Sequence, residues 1–133
     1  MRFASTLRAT ALLLVFPLWL GAVPGPTPVD PSALMGTWTV DLRPTPDAEG
    51  YTQPFTVTAV HDNGTFEAQF YGSPVQIARY NADWDVLHVA FVTTDGSTRY
   101  LHAARLEGGQ LRGTTHAVER GFLSVWTAER SSN

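Results

Sequence analysis

The sequence predicts an all-β protein, an eight-stranded antiparallel up-and-down barrel preceded by one short helical turn. From Gly36 onward, apolar residues recur at every second position, which is typical of strands with one buried face. Turn-forming residues interrupt this alternation at short intervals, and no segment has the periodicity of a long helix. We expect the strands to close into a barrel, because closure removes the exposed edges of an open sheet.

Composition limits the domain and its partners. The chain has 133 residues, a length that accommodates one domain. It has no cysteine, which excludes disulfides, thiolate metal sites and a cysteine nucleophile. All nine basic residues are arginines, against twelve acidic residues, and Arg2 and Arg8 lie at the N-terminus. The rest of the chain is acidic, so we expect no nucleic-acid partner.

The first element is a predicted signal peptide over residues 1–22. Arg2 and Arg8 form a basic region, residues 9–20 form an apolar stretch, and Gly21-Ala22 provide small residues for cleavage. The stretch is shorter than the roughly 20 residues that span a bilayer, so we expect export without stable membrane insertion after cleavage. With a bacterial source assumed, the mature protein is expected in the periplasm or the medium.

A proline-rich leader over residues 23–33 follows, and the barrel domain is assigned to residues 34–133. The prolines restrict φ and remove backbone donors, which places the leader outside the fold. Asp30 and Ser32 are candidate N-caps for a single helical turn through Ala33-Leu34-Met35. The predicted strands cover residues 36–43, 53–61, 65–71, 75–81, 86–93, 98–105, 110–118 and 121–129.

Tight turns fix the predicted register. Asn63-Gly64, Asp95-Gly96 and Gly108-Gly109 predict two-residue hairpin turns, and Glu119-Arg120 is expected to join the last two strands. With these turns one face comes out apolar across neighbouring strands, while Arg99, Arg105 and Arg112 fall on the other face. The predicted inward residues are Gly36, Trp38, Val40, Leu42, Phe55, Val57, Ala59, His61, Phe66, Ala68, Phe70, Leu87, Val89, Phe91, Tyr100, His102, Ala104, Leu106, Leu111, Gly113, Thr115, Ala117, Phe122, Ser124, Trp126 and Ala128.

Gly36-Thr37-Trp38 stands at the start of the first strand, and Arg130 stands just past the last one. This arrangement resembles the calycin superfamily of lipocalin- and avidin-type barrels, whose first strand carries Gly-x-Trp. In lipocalins an arginine near the end of the barrel covers that tryptophan. The resemblance implies the fold and no particular activity. Segments 70–74, 113–116 and 122–126 are also similar to small, uncharacterised exported bacterial proteins.

A polar row is predicted inside the apolar barrel. The register places His102 opposite Thr115 and Thr115 opposite Ser124, with Tyr100 on the same strand as His102. Burial of such groups without partners costs about 1–3 kcal/mol each, so they bond to one another, to water or to a ligand. One interpretation is a closed network that fixes the strands. The other is a polar anchor for a small ligand held among four aromatic residues, Trp38, Phe91, Phe122 and Trp126.

Catalysis and metal binding are weaker interpretations. His102 and Ser124 are the residue types of a base and a nucleophile, but no inward carboxylate is predicted to orient the imidazole. His88, His102 and His116 are evenly spaced, yet the register puts only His102 inside. We therefore expect no metal site and no cofactor, and we do not expect an enzyme.

The functional hypothesis is an exported barrel that binds a small apolar or amphipathic molecule in its interior. The alternative is a closed barrel without a ligand that acts as an envelope interaction or structural module through its outer surface. A partly apolar outer strip supports this alternative and is compatible with a monomer or a homodimer. The strip consists of Ala90, Val92, Leu101, Val118, Leu123 and Val125.

Overall fold

The computed structural model describes Pro17 and residues 20–25 and 27–132, so the predicted signal peptide lies largely outside the described residues. A 3₁₀ turn over Pro31–Leu34 precedes nine strands in this part of the chain. They are β1 (Gly36–Asp41), β2 (Thr52–Val60), β3 (Phe66–Phe70), β4 (Ser73–Pro74), β5 (Gln76–Asn81), β6 (Leu87–Thr94), β7 (Arg99–Glu107), β8 (Gln110–Ala117) and β9 (Phe122–Arg130). None of the helices described here has the length and apolar content needed to cross a bilayer.

The strands form one antiparallel sheet in the order β4-β3-β2-β1-β9-β8-β7-β6-β5. β1 pairs with both β2 and β9, which joins the first strand to the last. An isolated antiparallel bridge between Thr65 and Arg79 brings the two ends of the sheet together. The protein is therefore an all-β antiparallel meander that forms a nearly closed barrel, as the alternation of apolar residues predicts.

The prediction of eight strands is wrong, because a ninth short strand, β4, lies between the strands predicted over residues 65–71 and 75–81. Ser73–Pro74 pairs with β3, and the N–H of Val75 still donates to the carbonyl of Ala68 at 3.0 Å. The register then shifts between Gln76 and Arg79, where Ile77 adopts a φ of 50°. A positive φ at a β-branched residue breaks the extended backbone, so the ladder is interrupted there.

The predicted register of the last three strands is confirmed. His102 lies opposite Thr115, and Thr115 lies opposite Ser124. Gly113 lies opposite Trp126, and a Cβ at Gly113 would overlap the indole ring. The absence of a side chain at this position therefore lets the large ring fill the barrel.

Two predicted hairpin turns are wrong. The turn at Asp95-Gly96 is a four-residue loop from Asp95 to Thr98, because the Asp95 carboxylate accepts from the N–H groups of Ser97 and Thr98 at 3.1 and 2.9 Å. This moves the register by two positions, so the inward face is kept but Phe91 lies opposite His102 instead of Tyr100.

The turn at Asn63-Gly64 is also longer than predicted. β2 and β3 join through residues 61–65, where the N–H of His61 donates to the carbonyl of Thr65 at 2.9 Å. A bulge between Val57 and Ala59 brings Val60 opposite Phe66. His61, predicted to face inward, is exposed and lies 3.0 Å from Glu67. An inserted residue reverses the inward and outward alternation of the residues beyond it, which explains why His61 faces outward.

The core lies along the barrel axis and is sealed at one end, here called the closed end. Leu34 and Trp38 are fully buried there. The helical turn is confirmed, with Asp30 as its N-cap, and the indole N–H of Trp38 donates to the carbonyl of Leu34 at 2.9 Å. The Arg130 guanidinium lies over the Trp38 ring at 4.5 Å from its centroid. Gly36 permits this approach, because its φ is 112° and a Cβ would lie 3.2 Å from Arg130.

Candidate functional site

A cavity occupies the opposite, open end of the barrel. The antiparallel strand order brings residues 42–51, 71–72, 95–98 and 118–121 together at this end. The cavity between them has a volume of about 360 Å³. This is at the lower end of the range for small-molecule sites in proteins. The open end is therefore the candidate functional site.

Four polar side chains form the inner part of the cavity, which we call the polar floor: Thr93, His102, Thr115 and Ser124. His102 Nε2 lies 2.8 Å from Thr93 Oγ1, and His102 Nδ1 lies 2.8 Å from Thr115 Oγ1. The Trp126 indole N–H donates to Thr115 Oγ1 at 2.9 Å. Thr93, His102 and Thr115 are each more than nine-tenths buried. Three of the four floor side chains, Thr93, His102 and Thr115, thus form a hydrogen-bonded network with Trp126 below the opening.

Burial determines the charge of the imidazole. The loss of contact with water lowers the pKa of His102 from its usual 6.5 to about 4. The ring stacks on Phe91 with centroids 4.5 Å apart, and Phe70 lies 4.4 Å away. No carboxylate in the described part of the chain bonds to either ring nitrogen. His102 is therefore neutral at neutral pH, and the polar floor carries no net charge.

Charged groups lie at the rim instead. The Tyr100 hydroxyl donates to Asp95 Oδ2 at 2.7 Å, and Arg120 Nη2 donates to the same oxygen at 2.8 Å. The bond from Tyr100, with those from the N–H groups of Ser97 and Thr98, stabilises the carboxylate and lowers the pKa of Asp95. The Asp95 carboxylate in turn raises the pKa of Tyr100. The two charged groups at this side of the rim, Asp95 and Arg120, are thus paired with each other.

The other side of the rim is aromatic. The hydroxyl groups of Tyr51 and Tyr71 are hydrogen-bonded, and this bond raises the pKa of Tyr71. Tyr71 has a φ of 54°, a strained conformation for a residue other than glycine. The apolar walls of the cavity are formed by Leu42, Phe70 and Phe122, and Phe122 is 47% exposed at the opening. The cavity therefore combines apolar walls with an uncharged polar floor.

The predicted site residues divide into two groups. Five of them line the cavity: Tyr100, His102, Thr115, Phe122 and Ser124. The other three, Trp38, Phe91 and Trp126, are buried in the core at 0%, 2% and 2% exposure. Trp126 contributes to the floor through its bond to Thr115.

Sequence reasoning missed several cavity residues. Thr93 is the last residue of the strand predicted over residues 86–93 and lies one inward step beyond Phe91, so following the alternation to the end of that strand would have found it. Asp95 and Arg120 sit in turns, where solvated charges are common and carry no signal of a site. Tyr51 lies in a loop outside the predicted strands. Tyr71 ends the strand predicted over residues 65–71, where the alternation puts it on the outer face, whereas the structure places it in a turn.

The other candidate chemistry is dispersed. His88 and His116 are exposed on the outer face, whereas His102 is buried inside. Among the residues that the structure describes, no three histidine or carboxylate side chains are grouped as metal ligands. Comparisons with known protein families, curated proteins and solved structures give no match for this chain. Function is therefore inferred from the geometry of the cavity.

Proposed function

We propose that this protein is an exported barrel that binds a small apolar or amphipathic molecule in its open-end cavity. The observation that carries the proposal is the cavity of about 360 Å³ with three buried polar side chains, Thr93, His102 and Thr115, below apolar walls. A few fixed polar groups in an apolar cavity provide orientation and specificity for a small ligand. Ser124 adds a hydroxyl that makes no side-chain hydrogen bond within the described residues.

A calycin-like assignment is part of this proposal. Support comes from Gly36 and Trp38 at the start of β1 and from Arg130, which covers the Trp38 ring. Arg130 also donates to the carbonyls of Met35 and Ala33, so it joins the end of the barrel to the helical turn. Export is supported by the basic and apolar segments at the N-terminus.

Native mass spectrometry of the protein purified from its own source tests ligand binding. Ser124→Phe places a large ring in the cavity, while Leu123→Phe places the same ring on the neighbouring outward position, which is 65% exposed. We expect a non-covalent mass on the wild type and on Leu123→Phe, and its loss from Ser124→Phe. A bare protein in all three samples would count against the interior ligand.

A second candidate function is an interaction module that uses the outer face of β7 to β9. Leu101, Leu123 and Val125 expose 42%, 65% and 67% of their surface there. Sedimentation velocity over a range of concentrations tests self-association, and Leu123→Arg should abolish any dimer that this face forms. A monomer at all concentrations would remove self-association as its role.

A further inference from the structure

The hydrogen-bonded network that joins Trp126 to three side chains of the polar floor has one more hydrogen than it has acceptors within the network. Trp126, Thr115, His102 and Thr93 each carry one N–H or O–H hydrogen when the imidazole is neutral. Three hydrogen bonds connect these four side chains: Trp126 to Thr115, Thr115 with His102, and His102 with Thr93. One hydrogen is therefore left without an acceptor among the described side chains.

The remaining hydrogen belongs to a threonine that lines the cavity. If Thr115 donates to Nδ1 of His102, the Nε2–H group donates to Thr93, and the Thr93 hydroxyl hydrogen is free. If the Nδ1–H group donates to Thr115, then Thr93 donates to Nε2, and the Thr115 hydrogen is free. Both threonines border the cavity, so either tautomer offers one O–H donor to its contents.

Ser124 supplies a second donor at the same place. It lies directly opposite Thr115 in the β8–β9 pair and lines the same cavity. Its side chain is half-buried and has no hydrogen-bond partner among the described residues. In either tautomer, two hydroxyl donors thus border one small space.

We propose that the floor recognises an uncharged acceptor oxygen, such as a ketone or ester carbonyl, on a small apolar body. The proposal rests on the proposed function, since it names the class of molecule that the cavity takes. The oxygen accepts from Ser124 and from the free hydroxyl of Thr93 or Thr115. The apolar body packs against Phe70 and Phe122 on the walls.

A carboxylate ligand fits this floor poorly. Burying an anion without a cation nearby is costly, and the neutral His102 provides no positive charge. The cation at the cavity, Arg120, is bound to Asp95 at the rim. An uncharged carbonyl accepts the same two hydrogen bonds without that desolvation cost.

Three probes of nearly equal shape test the proposal in NMR titrations of the purified protein at pH 7. Acetophenone carries the carbonyl, α-methylstyrene replaces its oxygen by CH₂, and benzoate carries a charge. We expect Ser124→Ala to weaken acetophenone binding about fivefold, the size of one neutral hydrogen bond, and to leave α-methylstyrene unaffected. Leu123→Ala, on the outward neighbouring position, should change neither affinity. Benzoate should bind more weakly than acetophenone.

The infrared stretch of the bound carbonyl reports the donors directly. It should fall to lower frequency in the wild type and recover only in part in Ser124→Ala, because the network still supplies one hydrogen. An equal effect of Ser124→Ala on acetophenone and α-methylstyrene would overturn the acceptor-oxygen proposal while leaving interior binding intact. Tighter binding of benzoate would do the same. Failure of both neutral probes to bind up to their solubility limits would count against interior binding itself.

Discussion

The two ends of the barrel treat their polar groups differently. At the closed end, the indole N–H of Trp38 and the guanidinium of Arg130 donate to backbone carbonyls of the helical turn. At the open end, the polar floor retains hydroxyl hydrogens, and Phe122 is 47% exposed. The polar side chains of the closed end are thus paired with backbone carbonyls, whereas those of the open end keep hydroxyl hydrogens without a side-chain acceptor. Under the proposed function, the closed end mainly stabilises the fold and the open end binds the ligand.

Truncation of one aromatic residue at each end gives the largest contrast. Trp38→Ala should destabilise the protein by about 3–5 kcal/mol, because it empties a fully buried site and removes the bond to Leu34. Phe122→Ala should cost less than about 1 kcal/mol, because the ring is already half exposed. Urea denaturation of both variants measures the two changes. Equal losses would contradict the division of roles between the ends.

The second-largest effect is expected from acid, which should lower the free energy of unfolding through His102 at the open end. The folded-state pKa of His102 is about 4, below its usual 6.5, so protons bind the unfolded chain more readily between these values. Stability from this residue is fully present above about pH 6.5 and is lost as the pH falls towards 4, by about 3 kcal/mol in total. Denaturation curves across this range measure the loss.

His102→Gln is the control for this pH dependence, because the amide does not titrate and can still bond to both threonines. The variant should lose most of the slope between pH 4 and 6.5. Asp95 and Glu119 also have lowered pKa values, but carboxylates of this kind lose their contribution at lower pH. A slope that persists unchanged in His102→Gln would assign it to other groups.

The sequence predicts the closed end and the strand faces well, because both depend on local patterns. Gly36, Trp38 and Arg130 occupy the positions expected from the motif, and the last two hairpins keep the predicted register. The alternation also identifies His102 and Thr115 as neighbours inside the barrel. Side-chain period and turn length are sufficient for these features.

The cavity is less predictable, because it depends on loops and on irregular backbone. The Asp95 loop is longer than its Asp-Gly pair suggests, since side-chain bonds to Ser97 and Thr98 stabilise a wider turn. The bulge beyond Val57 and the positive φ of Ile77 have no glycine to mark them. The positions of the rim residues therefore depend on loop conformations that no sequence pattern marks.

Arg130 provides a smaller test of the closed end. Arg130→Lys keeps the charge but removes the planar group that lies over Trp38 and bonds to two carbonyls. We expect a loss of about 1 kcal/mol, the size of one exposed cation–π contact together with weakened hydrogen bonds. Thermal denaturation measures it. Arg112→Lys, on the outer face, is the matched control and should be nearly silent.

The smallest effect on stability is expected at the rim. Asp95→Asn retains an oxygen that accepts from Ser97 and Thr98 but removes the charge that holds the Tyr100 proton. Because that carboxylate raises the pKa of Tyr100, the variant should lower this pKa towards the usual value of 10.0 while leaving the melting temperature almost unchanged. Tyrosinate absorbance measures the titration, with Tyr100→Phe identifying its signal. An unchanged Tyr100 pKa would show that the rim carboxylate does not bond to the tyrosine in solution, whereas a large drop in melting temperature would make the rim part of the structural support that the closed end provides.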